Sequence, residues 1–141
     1  MEPNNKRRIL PKLAELIDLL TIYQIKETLL PKRHREYANY IENLIHDIDL
    51  LIRKKRLNLS AKLIRMIVIL AQLNLHIWQQ KDKMKNPSED YEKSLKLAHQ
   101  LNGLRNQIKN KLLEEFGDEV LSGKHTNVET DSLKDWKISL K

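Results

Sequence analysis

Residues 59–78, LSAKLIRMIVILAQLNLHIW, decide the fold. Apolar residues recur there at alternating steps of four and three, which places them on one face of an α-helix: Leu59, Leu63, Met66, Leu70, Leu73 and Ile77. A second apolar set lies off that face: Ile64, Ile67, Val68, Ile69, Ala71, Leu75 and Trp78. A helix that is apolar around most of its circumference needs neighbours on more than one side, so it is central to its domain or sealed against another subunit.

The chain has 141 residues and therefore few helices with which to enclose this stretch. We expect self-association through five side chains of the second set: Ile64, Ile67, Val68, Leu75 and Trp78. A membrane span would need about 20 consecutive apolar residues. Polar residues interrupt the stretch before that length is reached, so no membrane association is expected: Lys62, Arg65, Gln72, Asn74, His76 and Gln79.

The composition favours a single all-helical domain. Three glycines and four prolines are few, and the absence of cysteine excludes disulfides, thiolate metal sites and cysteine nucleophiles. The net charge of +7 points toward a polyanion or an acidic partner surface. The basic run Lys6-Arg7-Arg8 leads into a segment with further charged residues rather than a secretory apolar region, so we expect a cytoplasmic protein.

The spacing of apolar residues and the positions of helix-breaking and capping residues predict four helices, over about residues 11–29, 31–55, 59–85 and 91–116. Asn58 or Ser60 is expected to cap the third, residues 86–88 (Asn-Pro-Ser) to separate the third from the fourth, and Gly117 to end the fourth. The predicted organisation is a basic N-terminal arm over residues 1–10, of which residues 1–8 are expected to be mobile, a bundle over 11–117 and a polar, flexible tail over 118–141. One weak helical pattern in that tail, around residues 131–140, contains Trp136.

Four long helices with short connections are most simply an up-down-up-down bundle. In that arrangement the first and third helices start, and the second and fourth end, at the same pole. That pole would be strongly positive, although a basic run at a helix end is also the ordinary complement of the helix dipole.

No catalytic constellation is visible in the sequence. His46, His76 and His99 fall on three predicted helices, but the Glu-x-x-His pairs of metal-binding bundles are missing. Phosphate-binding glycine loops and zinc-ligand spacings are missing as well. We therefore expect no enzyme activity, metal, cofactor or small-molecule substrate. Tyr37, Tyr40 and Tyr91 lie on or near apolar stripes and are expected in the core, which leaves little support for base stacking.

A family resemblance rests on LPKRHR at residues 30–35, between a first helix and a long second one. Further matches are LAQL at residues 70–73, Tyr91 and Arg105. The family pattern has a glycine directly before that arginine, whereas here Leu104 separates Gly103 from Arg105. The resemblance spans roughly residues 13–113. This pattern resembles the four-helix-bundle family that includes proteins encoded in intervening sequences of large-subunit ribosomal RNA genes. The same family includes the accessory variability determinant of diversity-generating retroelements.

The resemblance implies a basic homopentameric ring that binds a retroelement reverse transcriptase and contacts template RNA or an RNA/DNA hybrid during mutagenic copying. Its motif contributes the basic residues Lys32, Arg33 and Arg35. The positive pole adds further expected backbone contacts: Arg53, Lys54, Lys55, Arg56, Lys62, Arg65, Arg105 and Lys109. The alternative is a structural adaptor of the intervening-sequence type, which acts through protein–protein contacts only.

Overall fold

Helices make up nearly all of the structure, a computed structural model that describes residues 5–85 and 91–118. Within those ranges there are four α-helices and no strand: α1 Leu13–Leu29, α2 His34–Lys55, α3 Ala61–Met84 and α4 Tyr91–Glu115. A short 3₁₀ turn, Pro31–Arg33, separates α1 from α2. The prediction of an all-helical chain with four helices is confirmed. The second helix starts three residues later than predicted, because residues 31–33 form this tighter turn.

Helix ends follow local chemistry. Ser60 caps α3, its Oγ accepting a hydrogen bond from the backbone N–H of Leu63 at 3.1 Å. Gly117 follows α4 with φ +71°, the left-handed conformation that glycine adopts at little cost. These two predicted helix boundaries are confirmed. The predicted break at residues 86–88, and the tail beyond Asp118, lie outside the described residues.

The helices pack around α1. In the described part of the chain, α1 lies against each of the other three helices, α3 lies along α4, and α2 packs closely on α1 but not on α3 or α4. The core is made of aliphatic side chains from all four helices, with the deepest being Leu13, Leu16, Leu44, Leu70, Leu73, Leu101, Ile108 and Leu112. Because α2 and α3 do not meet directly, a gap is left between them above α1.

The α3 helix carries two apolar faces. One face consists of Met66, Leu70, Leu73 and Ile77 and is buried against the bundle. The other faces outward, and we name it the α3 apolar stripe: Ile64, Val68 and Leu75, which are 45%, 58% and 38% exposed. By length and composition alone α3 is apolar enough to cross a membrane, but core helices pass the same test.

A buried carboxylate ties three helices together. Asp18 of α1 is fully buried and accepts hydrogen bonds from Asn74 of α3 at 2.8 Å and from Arg105 Nε of α4 at 3.0 Å. A second Arg105 nitrogen donates to the other Asp18 oxygen, and Lys109 Nζ lies 3.4 Å from it. Asn74 also donates to Thr21 at 2.6 Å. We name this set of side chains the Asp18 network.

The partners of Asp18 keep it charged. Burial by itself raises the pKa of a carboxyl group, but the hydrogen bonds and charge of Arg105, with help from Asn74 and Lys109, outweigh burial and lower the pKa of Asp18. Removing one partner of a buried ion pair typically costs about 3–5 kcal/mol, because the other charge stays buried alone. The network therefore holds α1, α3 and α4 in one relative orientation.

The N-terminal arm is anchored on α2 by a second buried carboxylate. Asp47 accepts hydrogen bonds from the backbone N–H groups of Arg8 and Ile9 at 2.8 and 2.9 Å, and from Arg7 Nε at 3.0 Å. His46 Nδ1 lies 3.0 Å from the same carboxylate. These contacts hold residues 7–9 on the surface of α2. No local feature of the sequence indicates them.

These contacts set the acid sensitivity of the arm. Burial raises the pKa of Asp47, but hydrogen bonds from His46, Ile9, Arg8 and Arg7 together hold it far below its usual range. A carboxyl group whose pKa is lower in the folded than in the unfolded state stabilises the fold above the unfolded value, near 3.9, and loses that contribution as the pH falls below it.

We predict that Asp47→Asn lowers the free energy of unfolding by about 2 kcal/mol or more at pH 7, since charge-assisted hydrogen bonds are replaced by weaker ones. The difference from the parent chain should shrink below about pH 4, because the unfolded chain then takes up a proton on Asp47 while the folded chain holds the carboxylate charged. Urea unfolding at pH 7 and pH 3 measures both values. The matched control is Asp49→Asn, an exposed carboxylate on the same helix, which should change stability by less than about 0.5 kcal/mol. An equal effect of the two substitutions would contradict the anchoring role.

Candidate nucleic-acid interface

The last turn of α2 presents three exposed cations, Arg53, Lys54 and Arg56, which we name the α2 basic cluster. Local backbone geometry places them there. Arg56 has φ +54° and ends the helix, while the N–H of Leu57 donates back to the carbonyl of Ile52 at 3.1 Å, a Schellman-type ending. In the described part of the chain no carboxylate pairs with these three side chains, so their charge is directed to solvent.

Two neighbouring predicted contacts are already engaged with α4. Lys55 Nζ donates to Asp118 Oδ1 at 2.8 Å and to the backbone carbonyl of Phe116 at 3.3 Å. Lys62 Nζ lies 2.9 Å from Glu115 Oε1. These pairs join the end of α2 and the start of α3 to the end of α4. Arg65, one turn further along α3, is exposed.

Two other predicted contacts, Arg105 and Lys109, point into the bundle. Both belong to the Asp18 network, and the Lys109 side chain is only 8% exposed, with its Nζ 2.5 Å from Glu15 Oε2. Their placement does not fit the prediction that they contact nucleic acid. The reason is that buried Asp18 requires positive partners, and α4 supplies them from positions four residues apart on one face.

The residues of the LPKRHR motif lie at the opposite end of α2. Lys32 and Arg35 are exposed, whereas Arg33 forms two hydrogen bonds with Glu36, at 2.9 and 2.7 Å, and stacks over the Tyr37 ring at 5.4 Å. At about 1.5 Å per residue, Arg35 and Arg53 are about 27 Å apart along the helix. The structure therefore divides the predicted basic residues into two separate clusters.

An aromatic cluster lies beneath the motif and was not foreseen from the sequence. The Tyr23 ring stacks on Tyr40 with centroids 4.1 Å apart, meets Tyr37 edge-on at 5.8 Å, and carries Lys26 above it at 4.9 Å. The spacing of Tyr23 and Lys26, three residues apart on α1, was the available signal. Tyr37 is buried as predicted, but Tyr91 is 44% exposed, so its expected core position is wrong.

The five side chains predicted to mediate self-association lie together on α3. Ile64, Val68 and Leu75 form the exposed stripe, and Ile67 and Trp78 are half-buried along its edge. Within residues 5–85 and 91–118, no group of three histidine or acidic side chains is arranged to hold a metal ion.

Comparisons with family models, with curated proteins and with solved structures give no match for this chain.

We predict that neutralising the α2 basic cluster, as Arg53→Gln, Lys54→Gln and Arg56→Gln together, weakens RNA binding and lowers its salt dependence. Each phosphate contact adds about 0.7–0.9 to the slope of log K against log salt, so three lost contacts lower that slope by about 2. Fluorescence anisotropy with a labelled RNA at several salt concentrations measures it.

The matched control removes three exposed lysines from the far end of α3: Lys81→Gln, Lys83→Gln and Lys85→Gln. It lowers the net charge by the same amount, so equal losses in the two variants would mean that net charge, and not the α2 basic cluster, governs binding.

Proposed function

We propose that this chain is a non-enzymatic accessory protein of a diversity-generating retroelement. In this proposal it binds the reverse transcriptase and the template RNA or RNA/DNA hybrid through basic surfaces during mutagenic reverse transcription. The observation that supports nucleic-acid binding best is the exposed α2 basic cluster, which has no carboxylate partner among the described residues while Lys55 and Lys62 beside it are paired. The assignment to a retroelement rests on the resemblance at residues 30–35.

Contacts to the phosphate backbone would carry the affinity. Arginine and lysine side chains neutralise phosphates without reading the bases, which gives sequence-tolerant, salt-sensitive binding. The α2 basic cluster and the motif residues Lys32 and Arg35 lie at the two ends of one helix. A single long polyanion can therefore contact both clusters. Tyr37 is buried and Tyr23 is half-buried beneath the motif, which supports a structural role for them rather than base stacking.

The proposal includes an up-down-up-down topology. Its support is that the end of α2 and the start of α3 both contact the end of α4, through the pairs Lys55–Asp118 and Lys62–Glu115. This grouping is what alternating helix directions produce. In such a bundle the α2 basic cluster lies at that shared end, where the polyanion would bind.

Self-association is proposed through the α3 apolar stripe, with Ile67 and Trp78 at its edge. Isolated exposed leucines are ordinary, but three large aliphatic side chains on one face of one helix form a continuous apolar surface. The homopentameric ring is proposed from the family resemblance alone. The protein is proposed to act in the cytoplasm, with no cofactor and no membrane partner.

A second candidate function is a structural adaptor of the intervening-sequence type. The same apolar stripe favours it, because that surface suits a protein partner and requires no nucleic acid. Under this alternative, the cations of α2 serve only to complement the helix dipole.

The two candidate functions separate in a pull-down with the neighbouring reverse transcriptase and its template RNA. The accessory function predicts association at moderate salt that weakens when the α2 basic cluster is neutralised. Failure of reverse transcriptase and RNA to associate with the chain, together with retention of a protein partner, would favour the adaptor.

We predict that Val68→Asp lowers the mass of the assembled protein in solution without unfolding the chain. Val68 is 58% exposed, so a charge there costs the isolated fold little but places an unpaired carboxylate in a subunit interface. Sedimentation of parent and variant measures the mass. The control is Ile45→Asp, a 49% exposed apolar position on α2, which does not pack on α3 in the described part of the chain. If the parent chain is already a monomer at tens of micromolar, the proposed interface does not exist.

A further inference from the structure

An apolar groove opens between α2 and α3, where these two helices do not meet. Its volume is about 380 Å³, and its floor is formed by α1. One side chain in its lining is polar, Asn58; the others are Leu13, Ile17, Leu20, Ile48, Ile52, Leu57, Leu59, Leu63, Ile67 and Phe116. An apolar cavity of about 150 Å³ already accommodates a benzene ring. The groove therefore has room for an indole ring and a further aliphatic side chain.

The rim of the groove exposes apolar surface to solvent. Leu59, at its edge, is 77% exposed, and Ile52 is 38% exposed. Neither belongs to the α3 apolar stripe, and of the groove lining only Ile67 also lies at the edge of the proposed subunit interface. Exposed leucine and isoleucine around an apolar depression are typical of a surface that is covered in the functional protein.

We propose that the groove is occupied by the C-terminal segment of the same chain, residues 133–140, with Trp136 as the anchor. The chain enters this region beside the groove. Phe116, which follows α4, lines the groove, and Asp118 is held next to it by Lys55 at 2.8 Å. Whatever follows Asp118 therefore starts at the mouth of the groove.

The chain between Asp118 and Leu133 is long enough for residues 133–140 to reach the groove of the same molecule. Fourteen residues, 119–132, lie between Asp118 and Leu133. A random-coil linker of that length has a root-mean-square span of about 20 Å and can extend to about 50 Å. The floor of the groove, from Leu13 to Leu20, is only about 10 Å long. For a linker of this length the effective concentration of the segment at the groove is in the millimolar range, so weak contacts suffice for docking.

The sequence of the segment matches the lining. Leu133, Trp136 and Leu140 occur at spacings of three and four, which places them on one face if the segment is helical. The indole of Trp136 has one polar group, an N–H donor, and the side-chain oxygen of Asn58 is an acceptor in the lining.

The charges of the residues between Asp118 and Leu133 also favour a position near the groove. The connection between Asp118 and the apolar segment carries three acidic residues, Glu119, Glu129 and Asp131, against the single cation Lys124. Asp118, the residue before this connection, lies beside the α2 basic cluster, where Lys55 binds it. An acidic connection next to exposed arginines is electrostatically favoured there.

Tryptophan fluorescence tests the proposal in the full-length chain. The sequence contains two tryptophans, so Trp78→Phe leaves Trp136 as the only reporter. Docking predicts a blue-shifted emission and weak acrylamide quenching, both independent of protein concentration. Adding Ile52→Asp and Leu59→Asp at the rim should shift the emission to that of water-exposed indole and raise the quenching constant several-fold.

The matched control adds two charges at exposed apolar residues outside the groove, Leu29→Asp and Val68→Asp, and should leave Trp136 protected. Water-like emission from Trp136 in the parent background would overturn the proposal. An unchanged signal in the rim variant would do the same. Protection that disappears on dilution would show that a second copy supplies the segment, which also contradicts docking within one chain.

A second measurement changes the C-terminal segment and leaves the residues of the groove unchanged. Trp136→Glu should uncover the groove and increase the fluorescence of an added anilinonaphthalene sulfonate dye several-fold, whereas Lys137→Glu should not. Equal dye fluorescence in both variants and the parent would mean that residues 133–140 do not cover this surface.

Discussion

The buried carboxylate of Asp18 is the constraint on which the arrangement of the helices depends. It lies on α1, which packs against the other three helices in the described part of the chain, and it must be paired because an isolated buried charge is very costly. Asn74 provides its partner on α3 and Arg105 its partner on α4. The rotation of α3 about its own axis is fixed by this contact, since turning Asn74 outward would leave Asp18 undersatisfied.

That rotation determines which apolar face of α3 reaches solvent. Successive residues of an α-helix are about 100° apart, so holding Asn74 inward places Leu75 toward the outside. Ile64 and Val68 share the face of Leu75 and are exposed with it. The apolar stripe proposed as a subunit interface is therefore a consequence of a polar contact inside the bundle.

Pairing also decides which cations are free to bind a polyanion. The fourth helix gives Arg105 and Lys109 to the interior, and Lys55 and Lys62 bind carboxylates near the end of α4. The α2 basic cluster is left exposed at a helix terminus. The net charge of the chain alone does not reveal this, because it counts buried and paired cations equally with exposed ones.

The sequence was sufficient to predict the four helices, the cap of α3 and the end of α4, because hydrophobic spacing, Ser60 and Gly117 act locally. It also identified α3 as the helix with two apolar faces. It did not anticipate that Asp47 would anchor the arm, since Arg7 and Asp47 are 40 residues apart and nothing local connects them. The direction of Arg105 was missed for the same reason, its partner Asp18 being 87 residues away.

The most direct test of this account is a double-mutant cycle between Asp18 and Arg105, using Asp18→Ala, Arg105→Ala and the double variant in urea unfolding. The account predicts a coupling free energy of about 1–3 kcal/mol, because each single substitution leaves the other charged group without its partner. Additive effects, within about 0.5 kcal/mol, would contradict it and would remove the reason for the observed orientation of α3.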